Sequence, residues 1–430
     1  MTSGKWPVAF QDMDIEGFQA LLTPAGQAVL AEASDADLSE PALLTTTARL
    51  RSRHAPALVA AALTQARLRL RARDKFGPGA AVMYFTPTGL EQSTRSTVAA
   101  HRARRFAAGQ RVLEVCCGIG GDLVARAGAG VAGEGVDLDP LTVAVAGANV
   151  AALGVTGLVS VREGDAALQD PSGFVAVFAD PGRRTARGRV FDPRAYEPPL
   201  DVLVDLVLRA PAGCVKVAPG LPYEAIPDGA EAEWISDGGD VKEAALWLGD
   251  LAGRPSAGER FLRRATVLRT RRAPDGAALG SETATLVAEP GLGVPGTGPW
   301  RRFLYEPDGA VIRAHLVAEV AARLGGVLAD PQIAYITADS PVISPFASTY
   351  EIDEVMPFSL KGLRAELRRR GVGTLTIKKR GSAVDIDRLH RDLRLSGPET
   401  ATLVLTRVGD APQALLCHPV QALIGPWSAS

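Results

Sequence analysis

The chain has 430 residues, of which 47% are apolar and 22% charged, with 47 Lys and Arg against 48 Asp and Glu for a net charge of −1. This length exceeds one ordinary core and these proportions exclude a disordered or fibrous chain, so two or three globular domains are expected. Near-zero net charge announces no polyanionic partner by itself, and no stretch reaches the ~20 apolar residues of a membrane span. The first residues also lack the pattern of a secretion signal, so a cytoplasmic location without membrane attachment is expected. Cys116, Cys117, Cys214 and Cys417 show no CxxC or CxxH spacing, and neither a metal site nor a disulfide framework is expected.

The N-terminal part reads as helical. Over residues 56–76, Leu58, Val59, Ala62, Leu63, Ala66 and Leu70 fall at helical spacing with arginines opposite, Pro56 suits the first turn, and Gly77, Pro78 and Gly79 end the helix. Between Arg49 and Lys75, eight Lys and Arg stand against the single acid Asp74. Residues 84–94 connect to the next region, where Tyr84, Phe85 and Thr86 are either a lid over a site or plain core.

From residue 95 strands alternate with helices: strands at 111–115, 133–137, 159–163, 175–179 and 213–217, helices at 121–128, 140–153 and 200–209. This pattern predicts a parallel, doubly wound α/β sheet. A strand at 231–236, a helix at 241–250 and a strand at 265–270 would close it. The Gly- and Pro-rich stretch 290–299 reads as a linker. Beyond it come the apolar segment 303–305 and a helix at 310–324. A small α/β module follows, with strands at 350–355, 373–378 and 401–408 and helices at 359–370 and 385–395. The expected domains are a helical one at 1–90, the large sheet at 91–290, a connecting segment at 291–340 and the C-terminal module at 341–430.

The densest chemical signal is EVCCGIGGD, from Glu114 to Asp122, placed between a strand and a helix. Gly118 and Gly120 permit a tight turn and close backbone approach to a ligand, with Cys116 in the same turn, and the following helix offers free N–H groups. Asp137, about 20 residues further on at the end of the second strand and followed by Leu138, suits a ribose diol; Asp139 is the alternative. Asp165, followed by Ala166, ends the third strand, where it could accept from an adenine amino group or be an ordinary loop residue. Asp180 ends the fourth. A nicotinamide-binding turn would share much of this, but Leu123 stands where its third glycine or alanine is needed.

These motifs resemble the class I S-adenosylmethionine-dependent methyltransferases over about residues 95–270. Glu114, Gly118 and Gly120 match the first motif, Asp137 the ribose acid, Asp165 the adenine-side acid and Asp180-Pro181 the start of the fourth motif. The resemblance implies a Rossmann-like seven-stranded methyltransferase sheet, with S-adenosylmethionine held by Glu114, Cys116, Gly118, Gly120, Asp137, Leu138, Asp165, Ala166 and Asp180. The whole chain resembles bacterial proteins that add a THUMP-like domain at the C-terminus, which implies RNA as substrate by analogy.

Methyl transfer from a sulfonium chiefly requires a positioned acceptor and exclusion of water. Amino-methylating relatives carry Asn or Asp, two prolines and an aromatic residue after the fourth strand; this chain has Asp180, Pro181, Gly182, Arg183 and Arg184, which argues against that chemistry. Arg183 and Arg184, with Arg187 and Arg189, would bind phosphate or carboxylate, or be a solvated basic loop. Lys216, inside an apolar strand, is a base near the sulfonium, a lysine at a sheet edge or the partner of an acid such as Asp180. Asp180, Arg183 and Lys216 are thus the candidate catalytic residues.

From Ser359 to Leu395 there are eleven Lys and Arg against four Asp and Glu. Such an excess is suited to a phosphate backbone, through Arg184 and through Lys361, Arg364, Arg368, Lys378, Lys379 and Arg380. The expected activity is S-adenosylmethionine-dependent methylation of RNA, without metal. The alternatives are a small-molecule or protein methyltransferase, and a non-catalytic RNA-binding protein that keeps the fold.

Overall fold

The computed structural model describes residues 14–183, 195–272 and 278–420. They form two compact units, Met1–Glu231 with Ala244–Pro255, and Ala232–Glu243 with Ser256–Ser430.

The first unit opens with helices α1 (Ile15–Leu22), α2 (Pro24–Ser34), α3 (Glu40–Arg51) and α4 (Pro56–Phe76). Asp14 and Thr23 cap α1 and α2 by accepting the N–H groups of Gly17 and Gly26. Helix α4 covers the residues its spacing predicts and stops at Gly77, whose φ of 56° suits glycine. One expected core position fails: Leu70 is 45% exposed, while Leu68, Ala72 and Phe76 turn inward. Phe76 there meets Phe85, ring centroids 5.3 Å apart, which draws the later turns of the helix toward the following segment. The N-terminal core also takes in Ile119 and Val145.

Helices α5 (Pro87–Gln92) and α6 (Ser96–Ala103) lead into the sheet. Its elements are β1 (Arg111–Val115), α7 (Gly121–Gly128), β2 (Ala132–Asp137), α8 (Pro140–Ala152), β3 (Val159–Glu163), β4 (Ala176–Ala179), α9 (Leu200–Leu208) and β5 (Ala212–Val217). The hairpin of β6 (Glu231–Asp237) and β7 (Asp240–Gly249) completes them. The strands β3-β2-β1-β4-β5 are parallel neighbours and β7 joins β5 antiparallel, so the order through the hairpin is β3-β2-β1-β4-β5-β7-β6. These seven strands have the order expected of the methyltransferase sheet and belong to a sheet of nine strands. All four residues of β4 are buried, as a central strand covered on both faces requires.

The helix expected at 241–250 is strand β7. Its Lys, Glu, Ala and Leu favour a helix locally, but Gly238 and Gly239, at φ of 64° and 89°, turn the chain back as a hairpin. Residues Ala244 to Leu248 are then buried to 2% or less, so packing overrides propensity.

In the second unit, β6, β8 (Leu262–Arg272) and β9 (Ala278–Val287) lie side by side in that order. Then come β10 (Phe303–Pro307), α10 (Gly309–Arg313), α11 (Val317–Leu324), β11 (Val327–Asp330) and β12 (Ile333–Ala338). The single helix expected at 310–324 is two helices, broken where His315 adopts a φ of 53°. The last elements are β13 (Ala347–Pro357), α12 (Leu360–Arg369), β14 (Val372–Lys379), α13 (Ile386–Leu393), β15 (Glu399–Val408) and β16 (Ala411–Pro419). A seven-stranded sheet of order β11-β12-β10-β13-β16-β15-β14 results, antiparallel except for β14 with β15. Leu363 and Leu367 of α12 and Leu389 and Leu393 of α13 are buried in one cluster, as their spacing predicts.

Candidate active site

The turn after β1 is built on left-handed backbone at alternate residues: Cys116 at φ 56°, Gly118 at 55° and Gly120 at 79°. Glycine adopts this conformation freely, whereas a cysteine held there is strained by roughly 1–3 kcal/mol, a cost that gathers at functional sites. Burial, with the carboxylates of Asp137 and Asp180 adding to it, pushes the Cys116 thiol well above its usual range, so it stays protonated. A Cβ placed on Gly118 would meet nothing within 4 Å, so open space lies over this residue.

Glu114 does not face that space. It is 1% exposed and bonded to Arg126 of α7, whose guanidinium lies 4.5 Å from the Phe178 ring centroid. Burial pushes the Glu114 carboxyl up against the pull of Arg126. Beside it Asp122 and Arg102 pair at 2.5 Å, both buried. Burial would raise Asp122, but Arg102, Lys216 and Arg126 together hold it below its usual value. Glu114 therefore ties β1 to α7, the elements on either side of the turn.

Asp137, at the end of β2, is half-buried, and its carboxylate accepts the N–H of Gly118 at 2.8 Å and of Asp139 at 3.2 Å. The alternative, Asp139, is occupied in capping α8, where it accepts from the backbone N–H and the hydroxyl of Thr142 at 2.8 and 2.6 Å. Asp165 is exposed beyond β3 and accepts the Ala167 N–H at 2.9 Å, with Ala166 buried behind it. Leu138 and Leu168 are 66% and 81% exposed. Leu168 was not singled out by sequence; only its exposure, three residues past Asp165, marks it.

Asp180 and Lys216 come together at the ends of β4 and β5, with Lys216 Nζ donating to Asp180 Oδ2 at 2.6 Å. The lysine side chain is 11% exposed and the aspartate 25%, so the pair is largely shielded. Of the readings open for Lys216 in the sequence, pairing with Asp180 is the arrangement present. Gly182 and Arg183 form a short ladder with Tyr196 and Glu197. Tyr196 accepts the Ala218 N–H at 2.7 Å, which ties this segment to the exit of β5. The Arg183 side chain and Arg184, Arg187 and Arg189 lie outside the described residues.

Tyr84 and Phe85 are buried to 7% and 0%, the Tyr84 ring edge-on to Phe18, so they are core and not a lid. Thr86 caps α5 by accepting the Gly89 N–H at 2.9 Å.

Residues 347–419 match a family described as THUMP domain-like, and 14–72 match a domain of unknown function, DUF8688. Proteins from two strains of Mycobacterium tuberculosis, each named an uncharacterized S-adenosylmethionine-dependent methyltransferase, are 36% identical over 365 residues, covering 82% of this chain and 95% of theirs. This chain belongs to that family of methyltransferases. The crystal structure of a candidate methyltransferase from Porphyromonas gingivalis W83 shares the fold at a TM-score of 0.72, with 19% identity over 92% of this chain and 99% of that one.

The cofactor of this methyltransferase is S-adenosylmethionine, and the residues after β1, β2 and β3 fit it. Open space over Gly118, a half-exposed carboxylate acceptor at Asp137 and the exposed apolar side chains of Leu138 and Leu168 suit the ribose and base of a nucleoside.

In the methyltransferase's C-terminal unit the six basic residues marked by sequence divide. Lys361 and Arg368 are exposed on α12. The other four are engaged: Arg364 donates to the Asp392 carbonyl, Lys378 pairs with Glu306 at 3.0 Å, Lys379 donates to the Val384 carbonyl at 2.9 Å, and Arg380 stands 5.7 Å from the Tyr335 ring centroid. Among the described residues no cluster of potential metal ligands occurs, and no helix is long and apolar enough to cross a membrane.

Proposed function

We propose that this methyltransferase acts on RNA. The observation that carries this is the outward display of Lys361, Arg368, Arg391 and Arg394 on α12 and at α13, within and around the THUMP-like segment, where a phosphate backbone finds donors without displacing internal pairs. A cytoplasmic location goes with this reading, supported by four free cysteines.

The bound cofactor supplies an electrophilic methyl group on a sulfonium. Asp137 would accept from the ribose hydroxyls and Asp165 from the adenine amino group, with Leu138, Leu168 and Ala166 around the base. The turn carrying Cys116, Gly118 and Gly120 allows close backbone approach, and Glu114 holds it through Arg126. Asp180, at the carboxyl end of β4, would orient the acceptor through its carboxylate, and Lys216 fixes that carboxylate in place.

Transfer of radiolabelled methyl groups by the purified protein into total RNA, DNA, protein and small-molecule fractions tests the proposal. Label in RNA that disappears with Asp180→Ala is expected. Label only in another fraction would overturn RNA as the substrate and favour the small-molecule or protein reading, to which the Asp-Pro-Gly sequence at 180–182 also points.

A further inference from the structure

The segment from Val82 to Ser93 is gripped from two sides. From α4, Gln65 exchanges two hydrogen bonds with the Phe85 backbone, Arg69 donates to the Met83 carbonyl at 2.9 Å, and Lys75 Nζ donates to the carbonyls of Leu90 and Glu91 at 2.7 Å and of Ser93 at 3.0 Å. From α8, Asn149 Oδ1 accepts the Tyr84 N–H at 2.7 Å, while Asn149 Nδ2 donates to the carbonyls of Tyr84 at 3.0 Å and Ile119 at 2.9 Å. Asn149 is 0% exposed, and a buried amide is tolerated only when hydrogen-bonded. Its partners are backbone atoms of two segments far apart in sequence.

Ile119 lies between Gly118 and Gly120, so the carbonyl held by Asn149 belongs to the glycine-rich turn itself. The segment also rests directly on that turn: a Cβ on Gly89 would fall 2.4 Å from Ile119 Cγ2. Any larger residue there would force Ile119 and the Thr86 hydroxyl, 2.7 Å from the same Cβ position, to shift. Inside the turn the Gly120 N–H donates to the Cys117 carbonyl at 2.9 Å, while its other peptides are held from outside: Cys117 N–H by the Val136 carbonyl, Gly118 N–H by Asp137 and the Ile119 carbonyl by Asn149.

We propose that the N-terminal helical region positions the cofactor turn. Asn149 is the positioning residue: it fixes the Ile119 peptide against a segment that Gln65, Arg69 and Lys75 hold in place. This rests on the assignment of the turn at Gly118 to the cofactor. It gives a role to the region 14–72, matched to a family without described function, since Gln65 and Arg69 belong to it.

The test is calorimetric titration of the full-length Asn149→Asp variant with S-adenosylmethionine, with thermal unfolding alongside. At pH 8 the introduced carboxylate keeps the Tyr84 N–H but places charge against two carbonyls, and affinity should fall ~10-fold or more. As pH falls, protonation of that carboxylate restores an O–H donor, and the variant's affinity should climb back toward that of the unaltered protein followed over the same range. Leu363→Ala, in the other unit, should lower the melting temperature and leave affinity unchanged. If Asn149→Asp behaves like Leu363→Ala, lowering the melting temperature with affinity within twofold, the proposal is overturned. Should Asn149→Asp fail to fold, Gly89→Ala decides, because it presses on Ile119 directly and should also weaken binding. Asp137→Ala separates the two layers: no loss there means the turn is not the cofactor site, whereas loss there without loss at Asn149 or Gly89 refutes the positioning role alone.

Discussion

Replacing Asp137 with alanine removes a carboxylate that accepts two backbone N–H groups, from Gly118 at 2.8 Å and Asp139 at 3.2 Å. Hydrogen bonds to a charged group are worth ~1.5–3 kcal/mol each. The site is half-exposed, so in the unliganded protein water replaces the carboxylate on both donors, and the stability loss should sit at the low end, ~1–2 kcal/mol. Binding loses more, because the ribose hydroxyls lose their acceptor while the Gly118 peptide loses its tether. A net loss of ~2–3 kcal/mol corresponds to a Kd raised roughly 30- to 150-fold. Asp137→Asn keeps an acceptor for Gly118 without the charge and should fall near ~10-fold. Isothermal titration with S-adenosylmethionine measures both, and Asp139→Ala, which removes only the α8 cap, should cost ~1 kcal/mol of stability with Kd unchanged. A Kd within threefold of the unaltered protein for Asp137→Ala, or a larger loss for Asp139→Ala, would refute the assignment of the ribose acid.

Gly118→Ala should weaken cofactor binding tenfold or more at a stability cost of only ~1 kcal/mol, because its φ of 55° is strained for alanine while the added methyl meets no protein atom; a melting temperature that collapses instead would show the space over the turn to be structural. The double variant Lys361→Glu with Arg368→Glu should weaken RNA binding across all sequences and flatten its salt dependence, whereas Lys378→Ala should chiefly lower stability, since that lysine is paired with Glu306; filter binding at several salt concentrations distinguishes them. Burial, reinforced by Lys216, Arg95 and Arg71, pulls the Lys75 ammonium down from 10.5 to about 8. The unfolded chain then binds more protons between these values, so this group makes stability rise with pH from about 8 to 10.5 and adds a constant cost below about 8. Lys75→Met should flatten that rise in urea unfolding at pH 8, 9 and 10, and an unchanged slope would contradict it.

The strand ends that carry the cofactor motifs were legible because their signals are local. A glycine-rich turn after an apolar strand, followed by acids at successive strand ends, needs only short-range geometry, and Asp137, Asp165 and Asp180 all stand just beyond or at the ends of β2, β3 and β4. The amphipathic helices α4, α12 and α13 were readable for the same reason. Strand β7 was not, since its residues prefer a helix until neighbours on both sides bury them. Strands β9, β11, β12 and β16 were also missed. In the tail, strand β16 is bounded by Pro412 and Pro419 and gains its meaning only between β13 and β15.

By itself the sequence determined the doubly wound sheet, the donor of the methyl group and the order of its motifs, because each depends on periodicity and on residues near one another in the chain. Tertiary structure alone decided that Lys216 is paired with Asp180, that Glu114 faces Arg126 and not the open space, and that Asn149 joins the N-terminal segment to the turn. These are contacts between residues 12 to 65 positions apart, and hydrogen-bond partners at such separations are set by how the strands and helices pack.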